Sequence, residues 1–293
     1  MDSLPLDFQH SLPRPFSTEP FHHLKTAISD APDLNVFINE KRDFACLYPQ
    51  PSCDYENYKP RVAKLNLTDY RKNNQVIERR FEKMRKLFSP GLSVLEIGSF
   101  DAAFLRHLQA VEPNLDFSCV ETDSNVQPLY RELPWLHAFE SFDAVKVKQL
   151  SFDRICFFHV LEHITQPDLF LKSCADLLCP QGKIILEVPS MDDPLLQLYK
   201  IPEYEAFYFQ RQHPYVYTAS SMKRLLEHHN LKVTQLIAHQ RYGLENHLNW
   251  LEQRKPGGSE ALRSLFRSTD PQYRLDLEKT GKTDAIIVVA EKS

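Results

Sequence analysis

The residues best suited to chemistry fall in three short segments. The first, His159-Val160-Leu161-Glu162-His163, places two imidazoles and a carboxylate within five residues. H-x-x-E-H is the signature of the inverted zinc peptidases, and it needs a helix so that both histidines reach one metal. Here an apolar, strand-like run, Ile155 to Phe158, leads directly into His159, and Pro167 follows His163 by four residues. No full helix is available, and a peptidase is not expected. The second segment is Gln210-Arg211-Gln212-His213-Pro214-Tyr215-Val216-Tyr217-Thr218. A neutral imidazole at His213 or His163 can take a proton from a hydroxyl or an acidic C–H, with a rate that rises through a pKa near 6–7. A histidine in such a loop equally serves as a hydrogen-bonding cap. The third segment is Leu92 to Leu105, where a short apolar run, Val94 to Ile97, ends at Gly98 and a helical pattern follows. A strand that feeds a helix through a glycine lets a ligand approach bare backbone and meet helix N–H groups. Glu96 closes that strand, where its carboxylate can accept from a cationic or hydroxylated cofactor. Only seven of the 293 residues are glycine, and one stands at this turn; Phe100 and Ala102 occupy places where a G-x-G-x-x-G loop would have more.

These segments need a frame. Asp116 to Val120 is the next strand candidate, and it ends at Glu121-Thr122-Asp123. An acid about 20 residues past a glycine turn can hold ribose hydroxyls. Phe152 to Phe158 and Gly182 to Val188 are further apolar runs, with a helix between them that carries Leu171, Ala175 and Leu178. Strands spaced by about 25–30 residues, each followed by a helix, imply βαβ crossovers and a parallel sheet. Lys232 to Ile237 and Ala285 to Ala290 complete the strand set, and the helix before them opens at Thr218, a good N-cap.

In this order and spacing, Leu95-Glu96-Ile97-Gly98-Ser99, Val120-Glu121, Phe157 to Ile164 and Gly182 to Pro189 resemble the class I S-adenosylmethionine-dependent methyltransferases, in the branch with a "VLEH" segment after the fourth strand. The resemblance spans about Leu92 to Ile237 plus the strand near Ile286. It implies an α/β, Rossmann-like fold: a seven-stranded, mostly parallel sheet with helices on both faces and an antiparallel last strand. It also implies S-adenosyl-L-methionine as cofactor. Glu96, Gly98 and Ser99 would face the methionine end, Glu121 and Thr122 the ribose, and Glu140 and Ser141, after the third strand, the adenine. His159 would stand at the edge of the fourth strand beside the cofactor. Glu162, His163 and His213 would be the catalytic group, with no metal. The His213 segment resembles the histidine loop of some deoxysugar methyltransferases, which points to a small molecule such as a sugar or sugar nucleotide. The zinc-binding cysteine module of the sugar C-methyltransferases is absent. An alternative is a metal-dependent RNA 2′-O-methyltransferase: the small-RNA 3′-end enzymes carry Glu-x-x-Glu-His and a later His, which Glu162, His163 and His213 match, with His159 in place of the first Glu. A third reading is a scaffold that binds cofactor without turnover.

A net charge of −4 with no basic block argues against nucleic acid as a partner, although a local patch stays open. Six cysteines without a C-x-x-C pair, no leader-like start and no run approaching 18 apolar residues favour the cytoplasm and exclude a membrane span. Residues 1–67 hold eight prolines before position 61 and read as an irregular extension whose aromatics pack on the core. The core is 68–238 with 284–293. Thr68 to Phe88 is expected to be a helix whose Arg71, Lys72, Arg79, Arg80, Lys83 and Lys86 form either a solvated face or a phosphate-binding stripe. Residues 239–283 form a helical insertion between strands 6 and 7, a lid or an interface. There Tyr242, Asn246, Asn249 and Trp250 share a face suited either to a hydroxylated ligand or to packing. The sequence does not specify the oligomeric state.

Overall fold

The computed structural model describes residues 3–51 and 74–292. In chain order the elements are α1 (Leu6–Ser11), β1 (Phe21–Ile28), β2 (Ala31–Asn39), β3 (Phe44–Tyr48), α2 (Asn74–Met84), β4 (Ser93–Ile97), α3 (Ala103–Val111), β5 (Asp116–Val120), β6 (Leu136–Phe139), α4 (Phe142–Val147) and β7 (Phe152–Phe158). Then follow α5 (Pro167–Asp176), β8 (Leu178–Pro189), α6 (Pro194–Gln197), α7 (Pro202–Tyr208), β9 (Tyr215–Tyr217), α8 (Ala219–His228), β10 (Leu231–His239), α9 (Leu244–Gln253), α10 (Glu260–Leu265), α11 (Asp270–Thr280) and β11 (Ala285–Lys292).

The seven-stranded sheet has the order β10-β11-β8-β7-β4-β5-β6. The five strands from β8 to β6 pair in parallel, and β11 runs antiparallel to both its neighbours. Both faces are covered, which is why the strands read as continuous apolar runs rather than alternating ones. In β11, Ile287 and Val289 pack with Phe81 and Met84 of α2 and Leu105 and Leu108 of α3, while Ile286 and Val288 pack with Leu171 of α5 and Met222 and Leu225 of α8. The Thr218 hydroxyl accepts from Ser221 N and closes a capping box at the start of α8.

Over its described residues, 3–51, the N-terminal stretch is not irregular. β1, β2 and β3 form an antiparallel sheet completed by β9. Its described prolines around this sheet fall at strand ends: Pro20 precedes β1, Pro32 is the second residue of β2, and Pro49 and Pro51 follow β3. Phe16 stacks on Phe44 with ring centroids 3.8 Å apart, and Phe44 in turn contacts Tyr215 and Tyr217 of β9. The small sheet is thereby anchored to the chain that follows His213.

The sequence leaves two faces open. Of the basic residues of the helix before β4, Arg79, Arg80 and Lys83 are engaged internally, while Lys86 is exposed. Arg80 is buried against Glu187, Arg79 donates to the Arg241 carbonyl, and Lys83 reaches the Ala238 carbonyl and Glu278. Arg71 and Lys72 lie outside the described residues. On α9 Asn246, Asn249 and Trp250 are used internally: Asn246 and Asn249 donate to the carbonyls of Gly257 and Lys255, and Trp250 is buried among Tyr204 and Phe207 of α7, while Tyr242, before the helix, is exposed.

Candidate active site

β4 delivers the chain to Gly98, which turns with φ +74°. A Cβ at this position would lie 2.6 Å from Val160 Cγ2, so the glycine permits a close approach between this turn and the His159–His163 segment. Phe100 and Ala102, the residues that depart from a glycine-rich loop, also have positive φ, 48° and 55°. For such residues this conformation costs on the order of 1–2 kcal/mol each, and the surroundings hold it in place. Phe100 N donates to Glu121 Oε2 at 2.9 Å, Ala102 N to Ser99 O at 2.8 Å, and the Tyr130 hydroxyl reaches both Phe100 O and Ser99 Oγ.

Glu121 caps β5. Its other oxygen accepts from Asp123 N at 2.8 Å. Burial raises its pKa, against the pull of those backbone donors. Each carboxylate oxygen keeps a second lone pair, so ribose hydroxyls can still be accepted. Glu96 is buried at the end of β4, its Oε2 has no hydrogen-bond partner, and burial pushes its pKa well up. An orphaned buried carboxylate oxygen beside a tight glycine turn fits a cofactor that brings a cationic group to this edge. Thr122 is exposed at the next position. Glu140 lines a cavity of about 360 Å³ together with Gln127, Tyr130, Arg131 and Phe139. Ser141 does not border that cavity; its hydroxyl accepts from Ala144 N and caps α4. A serine just before a helix satisfies a first-turn donor, and this uses one lone pair of its hydroxyl.

The His159–His163 segment leaves β7 as a single 3-10 turn, Leu161–His163, and not as an α-helix. His159 takes φ +57° and stands between two buried carboxylates. Its Nδ1 is 3.0 Å from Glu162 Oε1, and its Nε2 is 2.8 Å from both Glu187 Oε1 and Arg241 Nη1. Glu187 gathers Arg80, His159 and His239, which together hold its pKa far below the usual range despite complete burial. Arg241 is fixed by Asp284, whose carboxylate also accepts from the backbone of Arg241 and Tyr242.

Glu162, His163 and His213 converge. One ligand-capable atom from each lies within 4.8 Å of the others. The His163 and His213 rings meet edge to face at 4.7 Å, and His163 Nδ1 is 2.9 Å from the Gln212 carbonyl, to which it donates. Burial works to raise Glu162, yet its hydrogen bond to His159 and the neighbouring imidazoles hold it at about 2. Burial pushes His213 down to about 3, with His163 adding to the shift. His213 is therefore neutral at physiological pH, and the expected titration near 6–7 does not belong to it.

Sequence reading gathered the residues of the Gly98 turn and the histidine pair. It missed Arg80, Glu187, Arg241 and Asp284. Glu187 carried a signal, an acid inside the apolar run Ile184 to Val188; Arg241 and Asp284 are 43 residues apart and carried none.

A methyltransferase-domain family model matches residues 69–236, more than half of the chain. No curated protein matches at the level of sequence. Among solved structures, a chain of the complex between the Haloferax volcanii Trm112 methyltransferase activator and a methyltransferase superposes with a TM-score of 0.50 at 11% identity, covering 75% of this chain and 93% of that one. An Archaeoglobus fulgidus SAM-dependent methyltransferase (TM-score 0.49, 18% identity, 74% and 94% coverage) and the plantazolicin methyltransferase BpumL with SAH (TM-score 0.48, 14% identity, 82% and 89%) are also similar. The likeness to the first of these structures is one of fold; the family match sets aside the scaffold alternative. The chain belongs to the methyltransferase-domain family, a class I enzyme whose cofactor is S-adenosylmethionine.

Proposed function

We propose that the enzyme methylates a small hydroxylated molecule, a sugar or sugar nucleotide. One observation carries the reading: the additions to the core, residues 3–51, 190–217 and 240–283, meet in one apolar cluster beside the C-terminal edge of the sheet. Leu34, Val36 and Leu47 pack with Met191, Leu195, Tyr204, Val216 and Trp250 in that cluster. Ser190 bridges to Tyr217, and Asp284 binds Arg241, so this cap joins the core next to His163 and His213. A cap built from the chain itself suits an acceptor small enough to be enclosed.

In this reading Glu96, Gly98 and Ser99 hold the methionine end of the cofactor, Glu121 the ribose, and Glu140 borders the adenine. The bound cofactor supplies an electrophilic methyl, and the protein positions the acceptor oxygen in line with it. An RNA acceptor is disfavoured by the net charge of −4 and by the internal engagement of Arg79, Arg80 and Lys83. The test is a transfer assay with isotopically labelled cofactor against nucleoside-diphosphate sugars, free sugars, a peptide and a short RNA. Label in a sugar supports the reading; label only in peptide or RNA overturns it.

A further inference from the structure

We infer that Tyr208 and Glu162 form a polar subsite that selects the acceptor, the phenol donating to one of its oxygens and the carboxylate accepting from a neighbouring hydroxyl. The inference rests on the proposed hydroxylated acceptor and names the groups that choose it.

The first observation is a pair of leftover atoms. Tyr208 closes α7, Glu162 lies in the turn after β7, and both residues are more than nine-tenths buried. Neither the Tyr208 hydroxyl nor Glu162 Oε2 has a hydrogen-bond partner. Buried tyrosine hydroxyls ordinarily find one, and an unpaired buried polar group is costly. Phenylalanine would fill the same space at position 208 without that cost, so packing does not account for the hydroxyl. The preceding turn of α7 gives the contrast: the Tyr204 hydroxyl donates to Asp193 Oδ2 at 2.6 Å.

The second observation is position. Tyr208 packs in the cap with Met191, Val216 and Trp250, whereas Glu162 belongs to the core. Asp193, Arg241 and Glu162 are near enough for their charges to act on the Tyr208 hydroxyl. Arg241 Nη1 is 2.8 Å from His159 Nε2, and His159 Nδ1 holds Glu162 Oε1 at 3.0 Å. The two orphaned atoms therefore lie at one junction of cap and core, and the carboxylate is oriented before a ligand arrives.

The third observation is that the two groups are complementary. Burial, with Asp193 adding to it, raises the Tyr208 pKa, so it stays a phenol that can donate. Burial works to raise Glu162 too, but its hydrogen bond to His159 holds it at about 2, so it is a carboxylate that only accepts. A donor beside an obligate acceptor matches two neighbouring hydroxyls of a sugar. An apolar molecule would leave both groups unpaired, and an anionic one would meet the Glu162 charge, so such a site rejects both.

The test uses the full chain loaded with S-adenosylhomocysteine. The probes are methyl α-D-glucopyranoside and uridine diphosphate glucose, titrated by saturation-transfer difference NMR. Y208F should weaken the bound probe about three- to tenfold and E162Q about tenfold or more, while calorimetry finds unchanged affinity for S-adenosylhomocysteine. Y208F should also keep the thermal midpoint of the wild type, because the hydroxyl it removes has no partner, whereas Y204F should lower it by depriving Asp193 of a donor. A probe bound equally by wild type and Y208F overturns the subsite and leaves the sugar reading standing; the Tyr208 hydroxyl would then serve a trapped water. A midpoint that falls as far in Y208F as in Y204F also overturns it, since the hydroxyl would be structural. Wild-type protein that binds neither probe overturns the sugar reading itself, and the subsite with it.

Discussion

Arg80 and Glu187 meet as a buried, two-pronged ion pair between a helix and the centre of the sheet: Arg80 Nε lies 2.7 Å from Glu187 Oε2, and Nη2 lies 3.1 Å from Oε1. The guanidinium also sits over the Phe158 ring, 4.6 Å from its centroid. The same carboxylate receives His159 and His239, so the pair fixes the floor beneath the His159–His163 turn.

Breaking one side of such a pair leaves an uncompensated buried charge. R80A should lose about 3–5 kcal/mol of stability, read from urea unfolding midpoints at constant slope. R80A/E187Q should recover part of that loss. A loss of under about 1 kcal/mol in R80A would mean that His159 and His239 alone satisfy Glu187.

The Gly98 turn gives a prediction with two separable parts. A Cβ there meets Val160 Cγ2 at 2.6 Å, and the φ of +74° is itself strained for any other residue. G98A should lower cofactor affinity by about tenfold or more, as measured by calorimetry. Removing the obstacle in G98A/V160A should restore only part of it, because backbone strain of roughly 1–2 kcal/mol remains. Full restoration would assign the whole effect to the clash; normal binding by G98A and G98V would place the cofactor elsewhere.

The frame of this site was legible because periodicity and punctuation were strong: Val94 to Gly98, Phe152 to Phe158 and Gly182 to Pro189 each mark a strand end at the sheet edge where ligands bind. The N-terminal sheet was less legible, because eight prolines in 60 residues suggest irregular chain unless their positions relative to strand ends are known. Ser141 could not be assigned by spacing, since a helix cap and a ligand contact ask for the same residue type. The basic residues of α2 misled for a similar reason. Helical spacing groups Arg79, Arg80 and Lys83 on a face, but only tertiary contacts decide that Glu187, Glu278 and two carbonyls occupy them.

Glu121 should prove to have two roles. Its oxygens accept from Phe100 N and Asp123 N, so it shapes the Gly98 loop before any ligand arrives. E121A should reduce cofactor affinity by about tenfold or more, since charge-assisted hydrogen bonds are worth roughly 1.5–3 kcal/mol each. It should also lower the thermal midpoint of the protein without cofactor. E121Q keeps one acceptor oxygen and should retain more of both. A drop in affinity with no change in the midpoint would confine Glu121 to the ligand.

The last prediction concerns pH and the cap. Asp193 accepts from Leu195 N at 2.7 Å and from the Tyr204 hydroxyl at 2.6 Å, with Asp284 and Arg241 as charged neighbours. Burial, with Asp284 adding to it, raises its pKa from 3.8 to about 7. Its folded-state pKa lies above the unfolded one, so between pH 4 and pH 7 the folded chain binds more protons than the unfolded chain. Stability from this group is fully present below about pH 4 and falls as pH rises through 7, by on the order of 2–4 kcal/mol. D193N has the same shape, can still cap Leu195 N through its amide oxygen, and does not titrate. Urea midpoints measured from pH 5 to pH 8 should therefore decline less in D193N than in the wild type, and the variant should be the more stable of the two at pH 8. Parallel pH profiles would mean that Asp193 is ionised throughout and that Arg241, not a proton, neutralises it.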